Sequence, residues 1–291
     1  MNIGIHVNKS RDPDFRTSFA LVGICLSEGA VPVLDPEFKD TVLGTVTGIS
    51  FEGIENKKCE FIISVGGDGT YLAMVSRYRN GYSHFVGVNK GSIGFLTEIN
   101  EENMADAVKM LIKGEFKTVP RSQLFVSVYD KDGNLKGTDI CLNDCMIARG
   151  LKPHITKLNL FIDGQMVEKY HGDGILVSTA TGSTAYSLAA GGPLLMPDMP
   201  DMIVTPVCSH SLHDISYVIG PESEIEIQID YFESAPIICP DGRDFVDLEP
   251  YDKVKIVRYK ENLKSAHIGD STFFRDIRKK IIQRGYFYEN G

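Results

Sequence analysis

The sequence predicts an α/β domain over residues 1–115, a β-rich domain over 116–265 and a C-terminal segment, 266–291, that returns to the first domain. Three observations carry this expectation. Strand and helix signals alternate through the first third of the chain, strand signals dominate from about Phe116, and turn dipeptides at hairpin spacing separate those later strands.

In the first domain, Asn2 to Val7 reads as a short strand, and Phe15 to Leu26 as a periodic helix with Asp12 and Pro13 at an acidic start. Val31 to Leu34 is a second strand. Phe61 to Val65 is a nearly continuous apolar run that breaks at Gly66-Gly67-Asp68-Gly69-Thr70 and resumes as a helix from Tyr71 to Arg79. Phe85 to Val88 is another buried strand, and Glu101 to Lys113 a helix ended by Gly114. Continuous apolar runs alternating with helices are the pattern of a mostly parallel sheet covered on both faces.

Strands are expected next at Leu124–Tyr129, Cys141–Ala148, Ile155–Ile162, Ile175–Ser178, Ile203–Val207, Ile225–Tyr231 and Val254–Val257, with two short helical candidates among them. Asp132-Gly133-Asn134 and Asp163-Gly164 supply hairpin turns. At the end, Ser271 or Thr272 is placed to cap an amphipathic helix from Phe273 to Gln283. Its Phe273, Phe274, Ile277 and Ile281 need a surface to cover, and the helix is expected to pack back on the first domain.

Bulk properties exclude several classes. With 43% hydrophobic and 24% charged residues, the 291-residue chain is expected to fold nearly throughout. Near the start the longest apolar run, Phe19 to Leu26, is too short to span a bilayer and lacks a signal-peptide context, which points to a cytoplasmic protein with no membrane partner. A net charge of −9 disfavours nucleic acid as a partner. Six scattered cysteines without a Cys-x-x-Cys pair read as reduced thiols, half or more of them buried.

Three segments carry chemistry. The Gly66–Thr70 loop lies between a strand and a helix, where Gly67 and Gly69 free backbone N–H groups and the helix dipole to meet a phosphate. An aspartate there repels phosphate, but it has a purpose if Asp68 takes the proton of a hydroxyl as a phosphoryl group arrives on that oxygen. The other reading is that Asp68 caps the helix through its side chain. No Walker or Rossmann fingerprint is present. The second segment runs from Gly172 to Ser187. There Ser178, Thr179, Thr181 and Ser183 present small hydroxyls and Tyr186 a ring face suited to a dinucleotide, unless the hydroxyls satisfy their own backbone and the tyrosine is core. The third is Asn143-Asp144, an amide beside a carboxylate inside an apolar strand, able to read a base and a ribose or simply to mark a strand end or bulge. Asn89, Gly91 and Gly94 form a further loop on the sheet edge that holds Asp68, and Phe95 beside it reads as core or pocket wall. His210 and His213 lack further metal ligands, so no metal site is expected; His171 stands two residues before Asp173.

Taken together and in this order, Gly66–Thr70, Asn143-Asp144, and Gly182–Tyr186 with Gly191–Pro193 resemble the NAD kinase family; Gly87–Leu96, Thr205-Pro206 and His210–Leu212 extend the likeness over most of the chain. The resemblance implies a Rossmann-like α/β domain, a β-sandwich-like second domain, an active site in the cleft between them, and homo-oligomers, often tetramers. It implies transfer of a phosphoryl group from ATP, or polyphosphate, to the adenosine ribose 2′-hydroxyl of NAD, with magnesium or another divalent cation accompanying ATP. Carried over by position, Asp68 is the base; Phe95 flanks adenine; Asn143 contacts adenine and Asp144 the ribose; Thr181, Thr184 and Ala185 line the nucleotide site; Tyr186 stacks; Asp173 lies toward the nicotinamide half; and His171 is a further substrate-binding residue. Ala180 replaces a common proline, Asp144 a more frequent glutamate, and His171 an arginine of some members. Leu212–Ile215 lacks an Arg-Pro pair often found there. Two other readings remain: a diacylglycerol-type lipid kinase, which shares the first loop but which the acidic balance opposes, and a dinucleotide sensor without turnover, which the presence of Asp68 opposes.

Overall fold

The computed structural model describes residues 1–90, 94–150, 154–210, 215–232, 234–269, 273–275 and 277–278. It comprises two compact units, Met1–Pro120 with Leu263–Gly291, and Arg121–Asn262.

In the first unit, strands β1 (Asn2–Val7), β2 (Val31–Val33), β3 (Phe61–Val65), β4 (His84–Asn89), β5 (Ile99–Asn100) and β6 (Lys117–Arg121) alternate with helices α1 (Arg16–Ser27), α2 (Asp68–Tyr78) and α3 (Met104–Lys113). The last strand among the described residues, Leu263–His267, pairs parallel with β4 and lies between it and β6, giving the order β2-β1-β3-β4-(Leu263–His267)-β6, with β5 also paired to β4. Five successive residues of β3 are buried, as a central parallel strand requires. Helix α3 turns Met104, Ala107, Val108 and Leu111 inward at three- and four-residue spacing and ends at Gly114, whose φ of 78° closes the helix without strain. These side chains join Ile3, Ile5, Leu21, Val22, Ile63, Val65, Val86 and Val88 in one core. Parallel register sets Val7 beside Val65 and Val65 beside Val88, so the segments leaving β1, β3 and β4 emerge at one sheet edge.

The second unit is antiparallel throughout its named strands. These are β7 (Leu124–Tyr129), β8 (Leu135–Cys141), β9 (Asp144–Ala148), β10 (Thr156–Ile162), β11 (Gln165–Gly172), β12 (Gly174–Thr179), β13 (Met202–Val207), β14 (Tyr217–Ile219), β15 (Ile225–Ile229), β16 (Ile237–Pro240) and β17 (Lys253–Arg258). They form a six-stranded sheet, β11-β10-β15-β17-β7-β8, and a five-stranded sheet, β14-β13-β12-β9-β16. Val126, Leu158, Ile227 and Ile256 of the first meet Ile147, Ile175, Val177 and Val204 of the second in a shared core, a sandwich. Asp163 and Gly164, with φ of 50° and 74°, make the two-residue turn of the β10–β11 hairpin. A short 3-10 turn, Gly182–Thr184, and a short helix, α4 (Tyr186–Ala189), follow β12.

Some expectations are corrected. The single strand Cys141–Ala148 is two strands broken at Leu142-Asn143. Helix α3 begins at Met104 rather than Glu101. Asp12 lies ahead of α1 rather than in its first turn: fully buried, it accepts hydrogen bonds from the amides of Thr17 and Ser18 and from the Ser18 hydroxyl. Strands β5, β6, β11, β14 and β16, all of β8 but Cys141, and the strand Leu263–His267 are additions. Four of the six cysteines are buried and all are free thiols. Residues 273–275 and 277–278 of the expected C-terminal helix are helical; its proposed caps Ser271 and Thr272, and residues 279–283, lie outside the described residues. Among the described residues no helix is long and apolar enough to cross a membrane.

Candidate active site

The loop after β3 is shaped by close approach. A Cβ on Gly66 would lie 2.3 Å from Thr70 Oγ1, a contact only glycine permits, and the Thr70 hydroxyl accepts a hydrogen bond from Asn8 Nδ2 at 2.9 Å. Gly67 is the N-cap of α2 and carries no side-chain cap, so the first turn of α2 presents its amides at the sheet edge. Gly69 is exposed, with open space where a side chain would project.

Asp68, the first residue of α2, does not cap its own helix. Its half-buried carboxylate reaches the loop after β4: Oδ2 accepts from the Phe95 amide at 2.8 Å, and Oδ1 accepts from the Leu96 amide at 3.0 Å and the Thr97 hydroxyl at 3.3 Å. A carboxylate has about four acceptor positions. The three donors therefore fix its orientation and leave room for one more. Gly94 makes this approach possible, because a Cβ there would stand 2.0 Å from Asp68 Oδ1. Asn89 is buried at the end of β4, Phe95 is half-buried, and Gly91 lies outside the described residues. Lys90 pairs with Asp12 at 2.6 Å. Burial pushes the Asp12 carboxyl up, but the hydrogen bonds from Lys90, Ser18 and Thr17 outweigh it and hold the group below the usual carboxylate range.

In the second unit, register brings the other two segments together. Asp144 stands opposite Ser178 on β12, the Thr179 amide donates to the Asn143 carbonyl at 2.9 Å, and the Thr179 hydroxyl donates to the Leu142 carbonyl at 2.7 Å. Gly182 closes over this break: its Cβ would lie 2.0 Å from the Asn143 carbonyl oxygen. The hydroxyls of Ser183 and Thr184 donate to the carbonyls of Ala180 and Thr181, as a serine- and threonine-rich turn does. Thr181 Oγ1 accepts from the buried Arg121 guanidinium at 3.4 Å. Two polar atoms differ. Asn143 Oδ1 and Ser178 Oγ are buried and have no hydrogen-bond partner among the described residues. Ala185 is half-buried, and the Tyr186 ring is 47% exposed rather than core.

Asp144 is 8% exposed, and burial, followed by the charge of Asp241, pushes its carboxyl up to about 7. Asp241 is not among the residues the sequence singles out; its only local signal is Asp241-Gly242, the dipeptide that also stands at Asp132-Gly133 and Asp163-Gly164. Burial pushes its carboxyl up as well, against three backbone amides and Arg243. Asp173 sits at the opposite end of β12 from Thr179–Tyr186, where Arg149 Nε meets its Oδ1 at 2.8 Å. His171 is exposed on β11, and its carbonyl accepts from the His210 amide. His213 lies outside the described residues, and among those described no three His, Cys, Asp or Glu are grouped to hold a metal ion.

Comparison with known proteins gives this geometry its context. The family model of the ATP-NAD kinase N-terminal domain matches residues 38–116, and that of the ATP-NAD kinase C-terminal domain matches residues 142–268. An NAD kinase of Ruminiclostridium cellulolyticum is 32% identical over 97% of this chain and 98% of its own. The chain belongs to the NAD kinase family. Solved structures of the family share the fold: a yeast NADH kinase complexed with NADH superposes with a TM-score of 0.88 at 23% identity, covering 96% of this chain and 86% of that one. An Archaeoglobus fulgidus NAD kinase in complex with ATP gives 0.72 at 22% identity, covering 97% and 98%. Family membership takes in both units, so the Gly66–Thr70 loop and the Asn143-Asp144 break belong to one kind of enzyme; the lipid-kinase alternative, which shares only the loop, falls away.

Proposed function

We propose that Asp68 is the base in the reaction of this NAD kinase family member, transfer of the terminal phosphoryl group of ATP to the adenosine ribose 2′-hydroxyl of NAD. The carrying observation is the Asp68 carboxylate, oriented by the Phe95 and Leu96 amides and the Thr97 hydroxyl at the edge where α2 begins. The hydroxyl proton passes to Asp68, the ribose oxygen bonds to the γ-phosphorus, and the bond from that phosphorus to the bridging oxygen breaks to release ADP. The amides of Gly67 and Gly69 receive phosphate oxygens. The divalent cation that accompanies ATP, magnesium in this reading, neutralises charge on its phosphates.

Asn143 and Asp144 hold the adenosine half. The support is the unpartnered, buried Asn143 Oδ1, which an exocyclic amine of adenine satisfies, and the buried Asp144 carboxylate, which ribose hydroxyls satisfy. Phe95, Thr181, Thr184 and Ala185 wall the nucleotide, Tyr186 offers its exposed ring for stacking, Asp173 serves the nicotinamide half, and His171 is a further substrate contact. The enzyme is placed in the cytoplasm, in keeping with six free thiols, and as a homo-oligomer, dimer or tetramer, in keeping with the exposed Leu194, Met196, Ile215 and Val218.

The test is NADP formation from NAD and magnesium-ATP, read by an NADP-specific dehydrogenase, for the native chain and Asp68→Asn. Turnover by the first and its loss in a folded, NAD-binding variant support the reading. NAD binding without turnover by the native chain, with polyphosphate and NADH also tried, would favour a sensor.

A further inference from the structure

Asn143 stands in the break between β8 and β9 and Asp144 is the first residue of β9, and one side chain gathers the backbone of both. Strand β16 runs antiparallel to β9 with Pro240 opposite Cys145, so the next residue, Asp241, falls level with Asp144, and its amide donates to the Asp144 carbonyl at 2.8 Å. Asp241 takes a φ of 47° and Gly242 one of 71°, a turn that aspartate tolerates better than most residues. Its carboxylate then gathers three successive amides: Oδ2 accepts from Leu142 at 2.8 Å, and Oδ1 from Asn143 at 2.7 Å and Asp144 at 3.2 Å. Three consecutive N–H groups turned to one carboxylate cannot continue a sheet ladder. Arg243 completes the fixture, with Nη1 3.7 Å from Asp241 Oδ2 and Nη2 2.8 Å from Asp139 Oδ2 on β8.

The geometry points to Asp241 as a positioning residue for the dinucleotide: by clasping the amides of Leu142, Asn143 and Asp144 it presents the Asn143 amide and the Asp144 carboxylate to the adenosine half without touching the reacting atoms. This rests on the reading that Asn143 and Asp144 bind adenosine. A carboxylate is suited to the task because only an anion with two oxygens accepts from three amides at once. The role acts on NAD and leaves the Gly66–Thr70 loop alone.

Steady-state kinetics of the full chain, with NAD and ATP varied in turn, test it with Asp241→Ala, Asp241→Asn, Asn143→Ala and the Asp241→Ala/Asn143→Ala double variant. Asp241→Ala is expected to raise KM for NAD about tenfold while KM for ATP stays within about twofold. Asp241→Asn keeps one accepting oxygen and falls between the native chain and alanine. The double variant raises KM by less than the product of the singles, because Asp241 acts partly through Asn143. If the alanine variant does not fold, the asparagine variant, which fills the same volume, carries the comparison. The inference is overturned if the Asp241 variants raise both KM values together, or if they leave KM for NAD unchanged while Asn143→Ala raises it. If Asn143→Ala itself leaves KM for NAD unchanged, the adenosine reading falls, and this inference with it.

Discussion

Asp68 and Asp144 are carboxylates at strand termini, one just past β3 and the other at the start of β9, and the protein surrounds them in opposite ways. Asp68 is half-buried among three donors from a neighbouring loop. Asp144 is buried beside a second carboxylate, Asp241, and its carboxyl is pushed up to about 7. The first environment orients a charge; the second leaves a group short of donors. An underprovided buried carboxylate gains most from a ligand that brings hydroxyls, whereas an oriented one with a free acceptor position is arranged to take a proton. In the proposed reading the first unit serves the chemical step and the second holds the adenosine half, and substitutions should separate the two in kcat and KM.

The largest effect is expected at Asp68. Replacement by asparagine removes the base and turns an NH2 toward an amide donor, so kcat should fall by about 10² to 10⁴, the usual range for general-base catalysis. A loss confined to KM would give Asp68 a binding role and erase the contrast with Asp144. Next is Gly94→Ala, whose Cβ would stand 2.0 Å from Asp68 Oδ1 and 2.5 Å from Thr97 Oγ1. Moving the carboxylate without altering it should lower kcat about tenfold to a hundredfold, on the scale that misplaced catalytic groups show. An unchanged kcat in the folded variant would mean that the clasp between Asp68 and residues 95–97 has no part in turnover.

The two regions were unequally legible in the sequence, for physical reasons. A parallel strand buried on both faces has to be apolar along its length, so Phe61–Val65 and the loop that interrupts it stand out. Strands β11, β14, β16 and β6 escape notice because each ends its sheet in the strand order, where one side lacks a partner and an apolar pattern is not demanded. The break in Cys141–Ala148 depends on Asp241, 97 to 99 residues further along, and no local pattern reports a contact at that separation. Asp68 was visible as a candidate base. That Gly94 and the amides of Phe95 and Leu96 hold it was not, since those bonds span 27 and 28 residues. Motifs displayed the groups proposed to meet a ligand; the residues that hold those groups came only with the fold.

Asp144 sharpens the comparison through pH. Its folded carboxyl titrates near 7, against an ordinary value of 3.8, so the folded state binds a proton that the unfolded state has already released. Its contribution to stability is therefore fully present below about 3.8 and is lost as pH rises to about 7. Asp144→Asn carries no such dependence. Thermal or urea unfolding should show the variant gaining on the native chain across that window, by on the order of 4 kcal/mol between pH 3.5 and 7.5, while KM for NAD rises. Parallel pH profiles for the two proteins would mean that Asp144 is not the strained group described.

The smallest expected effect has two signs, and both are needed. Gly69 is the second residue of α2, its φ lies outside the left-handed region, and a Cβ there meets nothing within 4 Å. Gly69→Ala should therefore stabilise the folded chain by about 0.5 to 1 kcal/mol, as alanine does for glycine in a helix. If the space beside Gly69 is where phosphates approach the first-turn amides, the added methyl intrudes on them, and KM for ATP should rise several-fold while the melting temperature goes up. Stabilisation without a change in either KM would show that the loop's amides are not where phosphate binds. Destabilisation would show that the open space at Gly69 is needed by the fold itself. Only the opposed pair of effects, a firmer helix and a weaker hold on ATP, places the phosphates at the start of α2, and it does so by a route independent of Asp68.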